Sequence, residues 1–529
     1  MADGEVYTLR GPLLRHGDRI IIGALLILGA VAAGLRFNDQ MIGLTGDNAS
    51  YILLAHAMLT GQPYGSAESP WGYPALLTPI MAVIGPGNFV EAIPWLKLLT
   101  ILFFLASLPL MYLLFRARHS AVMAFGATML FALTNVSLWY ANDVMTEIPY
   151  LCATFAALLY WQRRVAPWAR DRSVPAHRWH TLFVAVALFG VAYYIRSVGV
   201  TLFAAALTML LWYRRLSATL LVGALLAIIA LPWAIFSNTH EFPGYTAKFL
   251  LRNPFNPSEG RISSVGEFLI WLGDSARLNL VDIFSEMLLP APVPPELRAV
   301  LGPFLAVLII GGLALKLARR IELPEVYALF FLLLLFASPF RGDRFLLPIY
   351  PLLLHYMFEA GGWIVGHLAK LRLPPFPRRS LFTSVAGAAL LLLLAFPNTW
   401  LAGTISAENL RYLTGRAPPM GHTPDWQAYF AACEWIRKNT PPDTWVISRK
   451  FTLTTLYSGR LSIPIPFRPP DQYPEYISYH GIGYVLEDAF EWSTQTRDYL
   501  RPALSAYPQM FELVYVTGPP ETRVWKVVR

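Results

Sequence analysis

Long apolar runs separated by short polar breaks dominate the first four hundred residues. Runs near the 17–22 residues that a helix needs to cross the roughly 30 Å hydrocarbon core fall near 20–37, 94–115, 121–138, 145–161, 180–195, 198–212, 218–236, 299–315, 325–338, 346–366 and 381–397. The pattern predicts a polytopic α-helical membrane protein with about 11 transmembrane helices. Loops holding Arg116 and Arg118, Arg163 to Arg178, Arg214 and Arg215, Lys316 to Arg320, and Lys370 to Arg379 alternate with loops poor in Lys and Arg. Basic residues gather on the cytoplasmic side of a membrane protein. With an odd number of spans, the N-terminus is therefore expected in the cytoplasm and everything after residue 398 outside.

Three segments on that outer side are too long to be plain connectors. Residues 38–93 carry Gly-Pro breaks and apolar stretches such as Tyr73 to Ile84, which predicts helices lying along the interface. Residues 237–298 mix apolar runs with Lys248, Arg252, Arg261, Asp274, Arg277 and Glu286 and break at Pro243-Gly244, Asn253-Pro254 and Asn256-Pro257, which predicts a mobile cover. Residues 398–529 form a separate extracytoplasmic α/β domain in this reading, and residues 1–397 form the transmembrane domain. In the C-terminal domain Asp425 is expected to cap a helix over Trp426 to Lys438 that ends at Asn439-Thr440-Pro441-Pro442. Trp445 to Ser448, Gly483 to Leu486, and Leu513 to Thr517 with Arg523 to Val528 around Gly518-Pro519-Pro520 read as strands.

Composition agrees with a membrane protein. Of 529 residues, 55% are hydrophobic and 14% charged, against roughly 25% charged in soluble domains. The formal charge of +9 sits in short loops between spans and not in a basic domain, so no nucleic acid is expected as a partner. Cys152 and Cys433 give neither a disulfide framework nor a metal spacing. The first apolar run follows Arg10, Arg15 and Arg19 as a signal peptide would, but Gly34-Leu35-Arg36-Phe37 lacks a small-residue cleavage site, and it reads as a retained span. No internal repeat is visible, which weighs against a transporter of the inverted-repeat type.

Candidate chemistry collects on the outer face. Asp47, in Thr45-Gly46-Asp47-Asn48-Ala49-Ser50-Tyr51, stands where a helix begins. It can serve as an N-cap feeding the following amides, or as an ionised carboxylate ready to take a proton from a hydroxyl, and the positive helix end suits both roles. Asp143 and Glu147, spaced i, i+4, are expected on one face of the helix that re-enters the membrane. They form a second acidic site, with Glu147 the deeper. Such a pair needs a facing cation or hydrogen-bond donors, or else reads as first-turn acids at a helix N-terminus. Arg196, Arg341 and Arg344 stand at outer ends of spans. A guanidinium binds phosphate through a planar fork and stays charged when desolvated, so these three are candidates for holding a lipid phosphate. The alternative for Arg341 and Arg344 is pairing with Asp343 or reaching for headgroups. Tyr51, Glu68, Lys248 and Arg252 are the outer-loop candidates for contact with substrate.

A sugar on a polyprenyl phosphate departs from a leaving group that is already anionic, so its transfer needs one base, cations for the phosphate and exclusion of water. A glycosidase normally needs two carboxylates. The acids and arginines of this chain match the first demand.

Gly46 to Ala55, Leu59-Thr60-Gly61-Gln62-Pro63-Tyr64 and Ser69-Pro70-Trp71-Gly72-Tyr73-Pro74-Ala75-Leu76-Leu77 resemble the first outer loop of the superfamily C (GT-C) glycosyltransferases. The branch is that of the protein O-mannosyltransferases and the lipid A aminoarabinose transferases. Tyr140 to Pro149 resembles the family's later acidic segment, Ile195-Arg196-Ser197-Val198-Gly199 a basic-glycine turn, and Arg344 to Pro351 the arginine-proline segment of a late span. Glu434 to Asp443 resembles the opening of the periplasmic domain of bacterial members. The resemblance implies inverting transfer from a polyprenyl-phosphate sugar to a glycolipid, glycan or protein acceptor in the bacterial inner membrane. Asp47 would match the catalytic aspartate and Arg344 the donor-phosphate arginine. This chain has Asp47-Asn48 where protein O-mannosyltransferases tend to have two acids, and Glu68-Ser69 where aminoarabinose transferases have a lysine, so sugar and acceptor are not inherited. No cofactor is implied beyond the donor lipid. A divalent metal would call on Glu68, but His240, His422 and His480 offer no evident partner, and no metal ligands are assigned. The readings from other classes are a lipid or polysaccharide transporter or flippase without catalysis, and an assembly protein anchored by its membrane part.

Overall fold

The computed structural model describes residues 16–38, 45–61, 70–85, 87–171, 179–239, 248–254, 259–368, 379–419 and 421–528. The chain divides into two compact units. One comprises Met1–Phe37, Ser66–Tyr73 and Lys97–Ala407, the other Asn38–Gly65, Pro74–Leu96 and Glu408–Arg529. A sequence boundary at 397/398 thus falls ten residues before the structural one, and most of the first outer loop clusters with the C-terminal residues.

Each apolar run of the sequence is helical. The helices are His16–Leu35, Phe89–Arg116, Ala121–Leu133 followed by Asn135–Ala141, Glu147–Tyr160, Trp179–Ile195, Val200–Trp212, Leu216–Thr239, Pro295–Arg319, Leu323–Ala337, Tyr350–Leu368 and Arg379–Leu413. Five stretches among the described residues are long and apolar enough to cross a membrane: His16–Leu35, Phe89–Arg116, Leu216–Ser237, Pro295–Arg319 and Leu390–Leu413. A sixth crossing results if Ala121–Leu133 and Asn135–Ala141, bent by 62°, act as one. Length and composition thus support five or six crossings, short of the eleven expected, because helices such as Trp179–Ile195 and Leu323–Ala337 stop below 18 residues.

Polarity in this unit is arranged as lipid would demand. Large apolar side chains point outward along whole helices, as Leu216, Leu220, Ile228, Leu231 and Ile235 do, while Lys97, Thr100 and Ser107 are buried. Small residues let helices touch backbone to backbone. A Cβ added at Gly312 would lie 1.8 Å from the carbonyl oxygen of Tyr356, so Pro295–Arg319 and Tyr350–Leu368 pack with nothing between them there. Asn398 ties three elements together, accepting from the Asn135 amide at 3.2 Å and donating to the Leu288 carbonyl at 2.8 Å. In the segment expected to be a mobile cover, Leu251 bridges to Arg261, and Ser264 caps the Val265–Arg277 helix by accepting the Glu267 amide at 3.1 Å.

The second unit holds a five-stranded mixed sheet in the order β2-β1-β3-β5-β4. The strands are β1 (Trp445–Ile447), β2 (Ser462–Ile463), β3 (Ile482–Glu487), β4 (Phe511–Val516) and β5 (Arg523–Val527). β1 pairs in parallel with β2 and β3, and β5 pairs antiparallel with β3 and β4. Four strands fall where alternation and the Gly518-Pro519-Pro520 turn predict them, whereas β2, at two residues, is too short to carry a periodicity. Ile447, Ile465, Ile477, Ile482, Val485 and Leu500 lie at the heart of its core. The first helix of the domain runs Pro424–Asn439, with Thr423 and not Asp425 in the N-cap position. Proline at the first helical position has no N–H to satisfy, which moves the start back two residues, and the Thr423 hydroxyl donates to the Asp425 carboxylate. Within this unit the Asp47–Thr60 helix is buried on most sides, including Ala49, Tyr51, Ile52, Leu53 and Leu54.

Candidate active site

The acid at residue 47 is set by a glycine. Gly46 occupies the cap position at φ 91°, a backbone region that costs a side chain about 1–2 kcal/mol and a glycine nothing. Asp47 is therefore the first helical residue and does not occupy the N-cap position. The Gly46 carbonyl accepts the Ser50 amide at 3.1 Å and the Thr452 hydroxyl at 2.9 Å. Lys450 Nζ donates to the Thr45 carbonyl at 3.3 Å. Two side chains some four hundred residues downstream thus grip the turn that carries Asp47. Asn48 is buried and uses its own Oδ1 to accept the Ala49 amide at 2.8 Å.

A different cluster forms in the first unit. Glu147 opens the Glu147–Tyr160 helix and is 0% exposed. Its Oε1 lies 2.5 Å from Arg196 Nη1 and 3.5 Å from Arg344 Nε, while Oε2 is buried without a hydrogen-bond partner. Arg196 follows the Trp179–Ile195 helix in extended conformation, and the turn can fold back because a Cβ at Gly199 would meet the Tyr193 backbone at 2.7 Å. Arg196 also donates to Thr146 Oγ1 at 3.2 Å. The Phe345 ring lies under both guanidiniums, its centroid 4.7 Å from Arg344 Cζ and 5.5 Å from Arg196 Cζ. Both arginine side chains are about 15% exposed. Such a pair of forks suits a phosphate.

Asp143 is brought close to this cluster in sequence but not as a helical i, i+4 neighbour of Glu147. It lies in the turn after Ala141, is 2% exposed and accepts the Val144 amide at 2.8 Å. Residues 142–146 are not helical, so the expected common face does not exist. Asp343 likewise takes the amide of Arg344 at 2.6 Å, and the Arg344 guanidinium goes to Glu147 instead. Arg341 is exposed and stacks at 4.2 Å over the Trp271 ring. Arg252 pairs with Glu267 at 2.5 Å on the surface. Lys248 is the last helical residue of its segment, Tyr51 is 5% exposed, and Glu68 lies outside the described residues, as does His240. Among the described residues, no three His, Cys, Asp or Glu side chains come together as a metal site.

No protein-family model and no curated protein sequence matches the chain. Solved structures do. Oligosaccharyltransferase AglB from Archaeoglobus fulgidus, in complex with an inhibitory peptide and a dolichol-phosphate, aligns over 97% of this chain and 74% of its own at 12% identity, with a TM-score of 0.56. The same enzyme with Zn and sulfate aligns over 96% and 72% at 14% identity, TM-score 0.56. ArnT from Cupriavidus metallidurans bound to undecaprenyl phosphate aligns over 96% and 98% at 14% identity, TM-score 0.53. The chain has the GT-C glycosyltransferase fold. The likeness extends over nearly the whole chain and, with the five long apolar helices, agrees with a multi-pass membrane protein. Sequence reasoning missed the contacts made by Lys450, Thr452 and Phe345. Lys450 and Thr452 belong to an ordinary polar stretch of the C-terminal domain, and nothing in their spacing points to residue 47. Phe345 was within reach, because it follows Arg344 directly.

Proposed function

We propose that this protein is an inverting membrane glycosyltransferase that moves a sugar from a polyprenyl-phosphate donor to a glycolipid, glycan or protein acceptor. The reading places it in a bacterial inner membrane with about eleven spans, the N-terminus cytoplasmic and the C-terminal domain extracytoplasmic. Asp47 takes the proton of the acceptor hydroxyl as its oxygen attacks the anomeric carbon. The bond from that carbon to the phosphate oxygen breaks with inversion, and the lipid phosphate leaves as an anion. Arg344 and Arg196 hold that phosphate, with Glu147 fixing their planes, and Arg341 stands by at the rim. Tyr51, Lys248, Arg252 and Glu68 are assigned to the outer segments that frame the substrates.

The observation that carries the proposal is the group of Glu147, Arg196 and Arg344, two guanidiniums set against one buried carboxylate, in a fold whose solved relatives include ones bound to dolichol-phosphate and undecaprenyl phosphate. A buried ion pair is costly to build, and an unpartnered carboxylate oxygen beside it adds to that cost. A lipid transporter would use the arginines but has no need of a base. Purified protein in lipid nanodiscs, supplied with a panel of labelled polyprenyl-phosphate sugars and membrane extract as acceptor, should release polyprenyl phosphate. Asp47→Asn should cut that release by about 10²–10⁴-fold while leaving undecaprenyl phosphate binding and melting temperature unchanged. Equal turnover by Asp47→Asn would remove the base, and lipid translocation without sugar transfer would favour the transporter.

A further inference from the structure

We infer that Lys450 and Thr452 are positioning residues for Asp47, so that the C-terminal segment takes part in aiming the catalytic base. The inference rests on the reading of Asp47 as the base.

The geometry is a clamp with a rigid jaw. Thr452 donates to the Gly46 carbonyl at 2.9 Å and Lys450 to the Thr45 carbonyl at 3.3 Å. The two peptide units that precede Asp47 are thereby each held by one side chain. The jaw is itself locked. The Lys450 carbonyl accepts the buried Tyr429 hydroxyl at 2.9 Å, and Arg449 pairs with buried Asp488 at 3.1 Å. Asp488 also accepts the Thr496 hydroxyl at 2.7 Å and the Phe490 amide at 3.2 Å, and the Arg449 guanidinium stacks 4.0 Å from the Trp492 ring. The Lys450 ammonium reaches the turn past the rings of Trp492 and Trp426, 5.1 and 5.8 Å from their centroids. A helix whose first residue does chemistry frays most easily at that residue, and the clamp acts on the bonds just before it.

Charge supports the same assignment. Burial pushes the Lys450 ammonium down from its ordinary value to about 8, and Arg449 pushes the same way, while the carboxylates of Asp47 and Asp488 pull it back up. The ammonium and the Asp47 carboxylate therefore interact, and a lysine that is costly to bury is kept beside the proposed base.

The test measures sugar release by the full chain in nanodiscs as a function of pH. Lys450→Met and Thr452→Val should each lower kcat about 10- to 100-fold with the KM for the donor within twofold, since the phosphate is held elsewhere. Thr452→Ser, which keeps the hydroxyl, should recover at least half of the lost rate. Wild-type activity should fall as pH rises through about 8 and the ammonium loses its proton. Lys450→Arg, charged throughout, should hold its rate to pH 9.5. Should Lys450→Met melt too low to assay, the comparison of wild type with Lys450→Arg across pH still decides. Rates within twofold of wild type for Lys450→Met and Thr452→Val, or an alkaline limb unchanged in Lys450→Arg, would overturn the inference. Full activity of Asp47→Asn would instead overturn the reading beneath it.

Discussion

Glu147 holds Arg196 at 2.5 Å with one carboxylate oxygen and leaves the other buried and unpartnered. The same oxygen that binds Arg196 lies 3.5 Å from Arg344, so a single acid fixes two cations that come from sequence positions about 150 residues apart. An acid buried this completely depends on such cations to stay charged. Replacing one partner of a buried pair typically costs about 3–5 kcal/mol. Because Arg196 and Arg344 retain some contact with solvent, Glu147→Gln should cost less, about 2–3 kcal/mol, read as a lower melting temperature. Undecaprenyl phosphate should then raise the melting temperature of Glu147→Gln more than that of wild type, because phosphate supplies the missing counter-charge. An equal shift in both proteins would disconnect these arginines from the phosphate.

Arg344→Lys tests the fork and not the charge. A lysine keeps the cation but loses the planar donor pair and the stacking on Phe345, 4.7 Å away. Arginine and lysine are not interchangeable at a stacked, bidentate site. Undecaprenyl phosphate binding, measured by native mass spectrometry, should weaken about 10-fold or more in Arg344→Lys, while Arg341→Lys, on the exposed Trp271 contact, should stay within threefold.

The helices and most of the sheet were legible because both rest on local pattern. Apolar runs mark each helix, and short stretches rich in β-branched and aromatic residues mark β3, β4 and β5. Asp47, Glu147, Arg196 and Arg344 were legible as rare charges at the ends of apolar runs. What local pattern cannot carry is the identity of long-range partners. Adjacent Asp343 was the only partner that sequence offered Arg344, but besides Asp343, which takes its backbone amide, Arg344 reaches back to Glu147. Asp143 was placed on a helix face by spacing, yet the helix begins only at Glu147. The grip of Lys450 and Thr452 on residues 45 and 46 spans more than 400 positions, and a two-residue strand such as β2 exists only because β1 offers it an edge.

Acid should weaken the C-terminal domain through one histidine. His422 is buried, with its ring stacked 4.9 Å from Phe430, and burial lowers its pKa from the ordinary value to about 4. The unfolded chain takes up the proton near pH 6.5, whereas the folded chain resists until about pH 4. Stability is therefore lost as pH falls through that window, at no more than about 1.4 kcal/mol per pH unit, and the loss levels off below it. His422→Phe should flatten the dependence of melting temperature on pH between 6.5 and 4 while leaving sugar transfer at pH 7.5 within twofold. An unchanged slope would assign the acid sensitivity to other groups.

Gly46→Ala distinguishes a strained turn from a merely structural one. Gly46 sits at φ 91°, and an added Cβ would stand 3.1 Å from Thr452 Oγ1, in the hydrogen bond that holds the turn. Gly61, at the far end of the same helix, is also left-handed at φ 69°, but a Cβ there meets nothing within 4 Å. Both alanines carry a similar backbone cost of about 1 kcal/mol, so both should lower the melting temperature by similar, small amounts. Only Gly46→Ala displaces the Thr452 hydroxyl and re-aims Asp47. Sugar release should fall at least 10-fold in Gly46→Ala and stay within twofold in Gly61→Ala. Equal losses in the two would mean that helix stability alone, and not the aim of the carboxylate, limits the reaction.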